Sequence, residues 1–596
     1  MSELEQWRAS ARAWMAQDPE SETRSETETL LQTADADALK ELFSGRLTFG
    51  TAGMRGTIGP GPNQMNALMV RWVTTGLAQY IQGWNAGSSQ EQSVVIGFDG
   101  RRGSRLFADH AADVLAAAGF VVYVHEQVVP TPVLAHAVPE LGAAGGIMVT
   151  ASHNPPKDNG YKVYWSNGAQ IIPPHDSGIS DTIDATTLDA VGAAADGSLA
   201  DRMAAHRADG RVRTVPAAVY ARYVERVLAL RVHKTEAASH PVRAVYTAMH
   251  GVGAATLEDV VATAGHHELV SVPEQRHPDP AFPTVSFPNP EEPGALDLSM
   301  ALATKVDADI IVAHDPDADR LAVAVPDGAG GWRQLTGNQV GVLLAEDLLT
   351  AQERAAGADR SGLGERLVAT TIVSSSMLSN IAKAHGVQYA ETLTGFKWIA
   401  NAAIDHDGPF VVGYEEALGY SIGPVVRDKD GVSAALVMMD LVAWCKARES
   451  TLWEYLGDLY RRYGLYVSAQ QSFVMPGSEG AARIREIMAN LRADAPEQIG
   501  GVAVRRIRDI QTGTWRDLGS GETGRIDLPA SNVLAFDLVD GSRVLARPSG
   551  TEPKVKFYFE VREQMGADDS MATAELRGMA RLEQLKVDFV ARATGG

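Results

Sequence analysis

Short apolar runs recur along the chain, each ending in a polar, glycine-bearing loop, and they alternate with stretches of helical periodicity. The runs Val94 to Phe98, Phe120 to Val124 and Gly146 to Val149 predict buried strands. Helical sequence such as Leu106 to Ala118 separates them, and the acidic stretch Ser25 to Phe43 predicts a helix ahead of them. Val242 to Thr247 and Ile310 to Ala313 predict two further strands, divided by the Pro-rich loop His277 to Pro293. Beyond these, Leu367 to Val373 and Phe410 to Val412 have strand character, and Asn338 to Thr350 and Ser433 to Lys446 helical character. Strands at Val533 to Leu538 and Val555 to Glu560 precede a closing helix, Met571 to Arg592. The longest apolar stretch, Val114 to Val124, is interrupted by Gly119 and falls well short of the about 20 residues that span a bilayer. It fits a helix end, a glycine stop and a strand.

The pattern is α/β, and its breaks suggest four units: residues 1–210, 211–329, 330–463 and 464–596, with the Ala/Asp/Gly-rich stretch Ala185 to Gly210 as a helical or linking margin after the first. A length of 596 residues accommodates them at roughly 100–200 residues per domain. The formal net charge of −21 opposes binding to nucleic-acid backbones or anionic membranes outside a local basic patch. The single cysteine, Cys445, excludes an internal disulfide and a Cys-rich zinc site and fits a reducing, cytoplasmic setting. Met1 to Glu20 lacks the hydrophobic core of a secretory signal.

In α/β sheets ligands gather at the carboxyl ends of strands, so the loops there are where chemistry is expected. His314-Asp315-Pro316-Asp317-Ala318-Asp319-Arg320 alternates three carboxylates on one side of an extended loop, a donor set for a hard divalent cation. An EF-hand is excluded because Arg320 and Pro326 stand where it needs glycine and glutamate, and only three protein carboxylates favour Mg²⁺ over Ca²⁺. A solvated acidic turn is disfavoured by the mutual repulsion of the three groups. In Thr150-Ala151-Ser152-His153-Asn154-Pro155-Pro156, Ser152 stands beside His153, Lys157 and Lys162, placed to carry or receive a phosphoryl group; taken alone the stretch is also a plain Asn-Pro turn. It is not an esterase elbow, since Thr150 and Asn154 occupy the glycine positions. Arg547-Pro548-Ser549-Gly550-Thr551-Glu552-Pro553-Lys554 offers a guanidinium, two hydroxyls and loop amides to an anion, with a surface turn as the alternative. In Gly413-Tyr414-Glu415-Glu416-Ala417-Leu418-Gly419-Tyr420, one of the paired glutamates suits sugar hydroxyls, because adjacent residues of a strand point to opposite sides. Gly519 to Gly524 matches a dinucleotide fingerprint literally but no helix pattern follows it, and His250-Gly251-Val252-Gly253 suits packing better than catalysis.

Together and in this order, T-A-S-H-N-P, D-P-D-A-D-R, the E-E loop and R-P-S-G-T-E-P resemble the α-D-phosphohexomutase superfamily over nearly the whole chain. The variants T-A-G-M-R-G, F-P-N-P-E-E-P-G and G-Y-E-E-A-L-G-Y are most similar to its phosphoglucomutase-2-like subgroup. The resemblance implies three similar α/β domains and a smaller α+β carboxy-terminal domain around a central cleft. It implies that Ser152 is the phosphoserine, binding Mg²⁺ together with Asp315, Asp317 and Asp319. Arg55 and Arg320 would steady the transferring group, with His153 beside it and Lys162 moving a proton at the sugar hydroxyl. Glu415 would hold the sugar hydroxyls, with Glu416 beside it in the substrate site, and Arg547, Ser549, Gly550 and Thr551 would grip the phosphate that is not reacting; Lys397 and Arg427 are further anion-contact candidates. Ala417 stands where many relatives have serine, and Tyr420 where some have histidine.

The implied activity is a phosphoglucomutase working through glucose 1,6-bisphosphate as intermediate and activator, as a monomer or homodimer. Phosphomannomutase, phosphopentomutase and glucose-1,6-bisphosphate synthase are the alternatives within the family, and a sugar-phosphate phosphatase or a non-catalytic sugar-phosphate binder the alternatives outside it. On this reading Arg55, Lys162, Arg320, Lys397, Arg427 and Arg547 converge in one cleft, a local cationic site in an acidic chain.

Overall fold

The computed structural model describes the chain except Met1, Gly596 and residues 34–35, 51–52, 88–90, 193–196, 476, 550–553 and 567. The chain packs as two compact units, one comprising Met1–Val340, Ala403–Gly413 and Ala417–Arg448, the other Gly341–Ala402, Tyr414–Glu416 and Glu449–Gly596.

In the first unit, β1 (Met54–Thr57), β2 (Ser93–Phe98), β3 (Val121–Val124), β4 (Gly145–Val149), β5 (Asp158–Trp165) and β6 (Val212–Thr214) form a sheet in the order β1-β5-β4-β2-β3-β6. β2, β3, β4 and β6 run parallel, while β5 returns antiparallel beside β4. Continuous burial of β4 explains its unbroken apolar sequence, as expected for a strand covered on both faces. Gly119 adopts φ 95° between the helix Ser104–Ala117 and β3, the stop anticipated from the sequence. At the amino end the single helix expected over Ser25 to Phe43 is two, Ser21–Thr33 and Ala36–Phe43, and a further helix, Glu3–Gln17, precedes them. That helix is capped by Ser2 and buries only Ala11 and Trp14, too little apolar periodicity to announce itself.

A second sheet in this unit, of β7 (Arg243–Thr247), β8 (Glu268–Ser271), β9 (Ile310–Ala313), β10 (Ala322–Pro326) and β11 (Trp332–Gln334), has the order β11-β10-β9-β7-β8. β7 and β9 are parallel with Thr247 opposite Ala313, so the loops that follow them emerge side by side. The helix Gly431–Lys446 is buried on nearly every side, which explains its apolar sequence all round. Its one acid there, Asp440, takes two hydrogen bonds of 2.8 Å from Arg231, and His267 Nε2 lies 2.8 Å away.

The second unit contains the parallel pair β12 (Leu367–Thr371) and β13 (Gln388–Thr392). β14 (Phe410–Glu415) and β15 (Gly419–Ile422) bracket the paired-glutamate loop. An antiparallel sheet follows, built from β16 (Leu465–Val474), β17 (Gln498–Ile499), β18 (Val502–Asp509), β19 (Thr514–Asp517), β20 (Thr523–Arg525), β21 (Leu534–Leu538), β22 (Arg543–Pro548) and β23 (Lys554–Glu563). The helices Gly477–Ala493 and Met571–Thr594 supply Ile487, Leu491, Leu585 and Phe589 to a core shared with Phe536, Phe557 and Phe559 of that sheet. This α+β element follows the α/β sheets as the fold class anticipated. β16 escapes sequence detection because its polar residues Ser468, Gln470 and Gln471 break the apolar run. Among the described residues no helix is long and apolar enough to cross a membrane.

Candidate active site

β9 delivers the acidic loop, and Ala318 at φ 54° turns it back into β10. Asp315, Asp317 and Asp319 are buried, and one carboxylate oxygen of each lies within 4.8 Å of the others. Asp317 Oδ2 accepts from Thr131 Oγ1 and from Lys162 Nζ, both at 2.6 Å. Asp319 Oδ2 accepts from Lys162 Nζ at 2.9 Å and pairs with Lys429 Nζ at 3.1 Å. Asp317 Oδ1 and Asp319 Oδ1 are buried and meet no hydrogen-bond donor among the described residues. Uncommitted, converging carboxylate oxygens are what a hard divalent cation takes, so the residues present fit a metal ion. Burial, followed by the charges of Asp317 and Asp319, pushes the Asp315 carboxyl well above the usual range. Burial acts in the same direction on Asp317, yet the Lys162 ammonium beside it holds that carboxyl low. Lys162 itself is held charged by Asp317 and Asp319 against a burial that favours the neutral amine.

Glycines allow the loop its close packing. A Cβ on Gly251 would lie 2.4 Å from Pro316 Cα, and one on Gly253 would lie 2.8 Å from His314 Nδ1. The His250 to Gly253 turn therefore serves packing, under the acidic loop.

The serine loop leaves β4. Ser152 takes φ 51°, in the left-handed region, and donates from Oγ to Asp315 Oδ2 at 2.8 Å; it is 2 % exposed. His153 Nδ1 lies 3.2 Å from the same Oγ. Burial, reinforced by Arg320 and Arg55, lowers the His153 pKa well below its ordinary value and keeps the imidazole neutral. Lys162 reaches the acidic loop from β5, where it stands opposite Met148. Arg55 stands opposite Gly160 on β1, and its buried Nε meets no hydrogen-bond acceptor among the described residues. Arg320 donates its backbone N–H to Asp315 Oδ1 at 3.1 Å and from Nη1 to Ala417 O at 3.1 Å.

The loop Arg427-Asp428-Lys429-Asp430-Gly431 carries Arg427, expected from the sequence as an anion contact. In the structure Arg427 is exposed and donates to Asn167 O at 2.7 Å, while Lys429 is the buried cation that reaches Asp319. Asp428 fastens this loop to the first sheet by accepting from Tyr164 Oη at 2.7 Å and Gln170 Nε2 at 2.8 Å. Thr131, Lys429 and the Asp99-Gly100-Arg101 turn after β2 were all missed. The turn's position at the end of a parallel strand was the only available signal.

The second unit holds the remaining candidates. Glu415 Oε1 accepts from Gly395 N at 2.8 Å, and Glu416 Oε2 accepts from Ser374 Oγ at 2.8 Å. Lys397 is buried, with Nζ 5.8 Å from the Trp398 ring centroid. Arg547 is the penultimate residue of β22 and hydrogen-bonds Tyr558, whose hydroxyl is pushed up to about 12 by burial and then by the Glu416 charge. Ser549 donates its N–H to Lys554 O at 2.8 Å. Gly550 and Thr551 lie outside the described residues.

Family models described as phosphoglucomutase/phosphomannomutase match in four consecutive segments: alpha/beta/alpha domain I over residues 46–190, domain II over 221–330, domain III over 336–463 and the C-terminal domain over 482–574. The chain is 36 % identical to human phosphopentomutase over 568 residues, covering 93 % of this chain and 91 % of that one. It is 34 % identical to human glucose 1,6-bisphosphate synthase over 560 residues, covering 92 % and 89 %. The open-form crystal structure of pp63/parafusin, a phosphoglucomutase of Paramecium, shares the fold at a TM-score of 0.65 and 19 % identity, covering 93 % of this chain and 97 % of that one. With all four domain models in order along one chain, and a buried acidic triad facing a serine at a strand end, the protein belongs to the phosphoglucomutase/phosphomannomutase family of isomerases, which move a phosphoryl group within a sugar phosphate.

Proposed function

We propose that the protein is a cytoplasmic phosphoglucomutase, with domains 1–210, 211–329, 330–463 and 464–596, that interconverts α-D-glucose 1-phosphate and glucose 6-phosphate. The observation that carries the reading is the 2.8 Å contact between Ser152 Oγ and Asp315, inside a carboxylate triad with two uncommitted oxygens. Asp315, Asp317 and Asp319, with the phosphate on Ser152, would hold Mg²⁺, which supplies positive charge against a phosphoserine of about −1.5 to −2.

Ser152 passes its phosphoryl to the free hydroxyl of the sugar monophosphate: the serine O–P bond breaks as the sugar O–P bond forms, giving glucose 1,6-bisphosphate. After the bisphosphate turns over, its other phosphoryl returns to Ser152. Lys162 is the proton-transfer group at the sugar oxygen. As the ammonium that Asp317 and Asp319 favour it protonates the oxygen a phosphoryl leaves, and the neutral amine it then becomes takes the proton of the hydroxyl that receives one. Neutral His153 stands at Ser152 Oγ. Arg55 and Arg320 steady the phosphoryl group, which needs alignment and charge compensation more than covalent help. Glu415 and Glu416 serve the sugar hydroxyls; Arg547, Ser549, Gly550 and Thr551 serve the distal phosphate, with Lys397 and Arg427 as further anion contacts. The sugar and distal-phosphate loops disfavour a phosphatase, which passes its phosphoryl group to water and has no need of a grip on a second phosphate.

A pentose phosphate is the second reading, favoured by the identity with human phosphopentomutase. Relative kcat/KM on glucose, mannose and ribose 1-phosphates separates the two. Preference for the glucose ester supports the proposal, and preference for the ribose ester replaces it.

A further inference from the structure

The turn after β2 fixes the backbone on both sides of Ser152. Arg101 is buried and donates from Nη2 to Ser152 O and Asn154 O, both at 2.6 Å, and from Nη1 to Pro155 O at 2.9 Å and Asp158 O at 3.2 Å. Asp99 works from the other side. Its Oδ2 accepts from Thr150 Oγ1 at 2.7 Å, and that hydroxyl accepts from Ser152 N at 2.9 Å. Asp99 Oδ1 accepts from Arg101 N at 3.0 Å and from Ser104 Oγ at 2.6 Å, and Asp99 Oδ2 lies 3.3 Å from Arg101 Nε. The guanidinium also lies 5.0 Å from the centroid of the Phe282 ring, which belongs to the Pro-rich loop.

A non-glycine residue keeps a left-handed φ only where its surroundings over-determine it. Here one carboxylate and one guanidinium close a ring around Ser152, reaching its N–H through Thr150 and its C=O directly. We infer that Arg101, locked by Asp99, is a positioning residue that presets the Ser152 backbone so that Oγ emerges against Asp315 and the acidic loop. The inference rests on the reading of Ser152 as the phosphoryl carrier. Arg101 meets Ser152 at the backbone carbonyl and not at Oγ. Only a planar fork spans four carbonyls at once; a lysine keeps the charge but offers a single point of contact.

The experiment compares Arg101→Lys with wild type and Ser152→Ala, measuring kcat, KM for glucose 1-phosphate and the thermal transition. Thr150→Val and the double variant complete a cycle. A displaced reacting group costs about 100-fold in rate, so Arg101→Lys is expected to lower kcat by that order with KM changed less than about 3-fold and the cooperative transition retained. Thr150→Val is expected to lower kcat as well, and the double variant by less than the product of the two, because both hold one peptide segment. An Arg101→Lys enzyme with wild-type kcat, a loss confined to KM, or a loss of the folded transition overturns the inference. Wild-type turnover in Ser152→Ala overturns the phosphoserine reading instead.

Discussion

Ser152 donates its hydroxyl hydrogen to Asp315 and Thr131 its own to Asp317, Lys162 bridges Asp317 and Asp319, and Lys429 pairs with Asp319, so the acidic loop is held together by two hydroxyls and two ammonium groups. Replacing Ser152 with alanine removes the proposed phosphoryl carrier, and kcat is expected to fall by at least about 10³-fold with the thermal transition little changed. Asp317→Asn removes one formal charge from the triad and one of the two uncommitted carboxylate oxygens. The Mg²⁺ concentration for half-maximal rate is expected to rise at least about 10-fold, and chelator treatment of the wild type to abolish turnover until Mg²⁺ is restored. Mg²⁺ titration of chelator-treated enzyme checks both; undiminished activity in the chelator contradicts them. Ser152, Lys162 and the three aspartates were legible because each stands in a short motif with a chemical reason for its spacing. Thr131 and Lys429 were not. Thr131 meets Asp317 across 186 residues of sequence, and in Arg427-Asp428-Lys429 composition alone gives two cations with equal claims. Only the fold turns Arg427 towards Asn167 and Lys429 towards Asp319.

The elements under the site set its tolerance. Gly251→Ala places a methyl group 2.4 Å from Pro316 Cα and 2.5 Å from its carbonyl oxygen, backbone atoms that cannot swing aside. A stability loss of about 1–3 kcal/mol is expected, together with weaker metal binding, measured by denaturant unfolding and Mg²⁺ titration. In the second unit the helix Met377–His385 is tied to Gly337–Ala356 through His385, whose Nδ1 lies 2.7 Å from Glu353 and Nε2 3.0 Å from Glu346. Burial alone would lower the histidine, but the two carboxylates outweigh it and raise its pKa above 6.5. That contribution is complete below pH 6.5 and is lost as pH rises through the raised value. Both glutamates resist burial through His385 and titrate below 4.5, so their contribution is lost as pH falls through those values. The cluster therefore stabilises most between pH 4.5 and 6.5. Melting curves across pH are expected to lose part of their slope in His385→Gln; an unchanged profile contradicts the assignment. The helix Gly431–Lys446 was legible from its apolar run, whereas the edge-like β16 and the amino-terminal helix were not, because neither has one continuous apolar face.

At the scale of the molecule, one compact unit assembles its buried cluster from three family segments: Ser152 and Lys162 from the first, the acidic triad from the second and Lys429 from the third. The four-part organisation was visible in the spacing of apolar runs. The membership of Ala417–Arg448 in the first unit was not, since it depends on long-range partners such as Arg231 with Asp440 and Tyr164 with Asp428. The net charge of −21 is compatible with an anionic substrate because Arg55, Lys162, Arg320 and Lys429 gather near the acidic loop, where a bound cation would offset the three aspartates. Phosphorus NMR of glucose 1-phosphate with Mg²⁺ and a trace of glucose 1,6-bisphosphate tests the central claim most directly. Wild-type enzyme should convert the 1-phosphate resonance to that of the 6-phosphate without inorganic phosphate, and Ser152→Ala should not. Stoichiometric inorganic phosphate, no conversion by the wild type, or equal conversion by the variant would contradict the account.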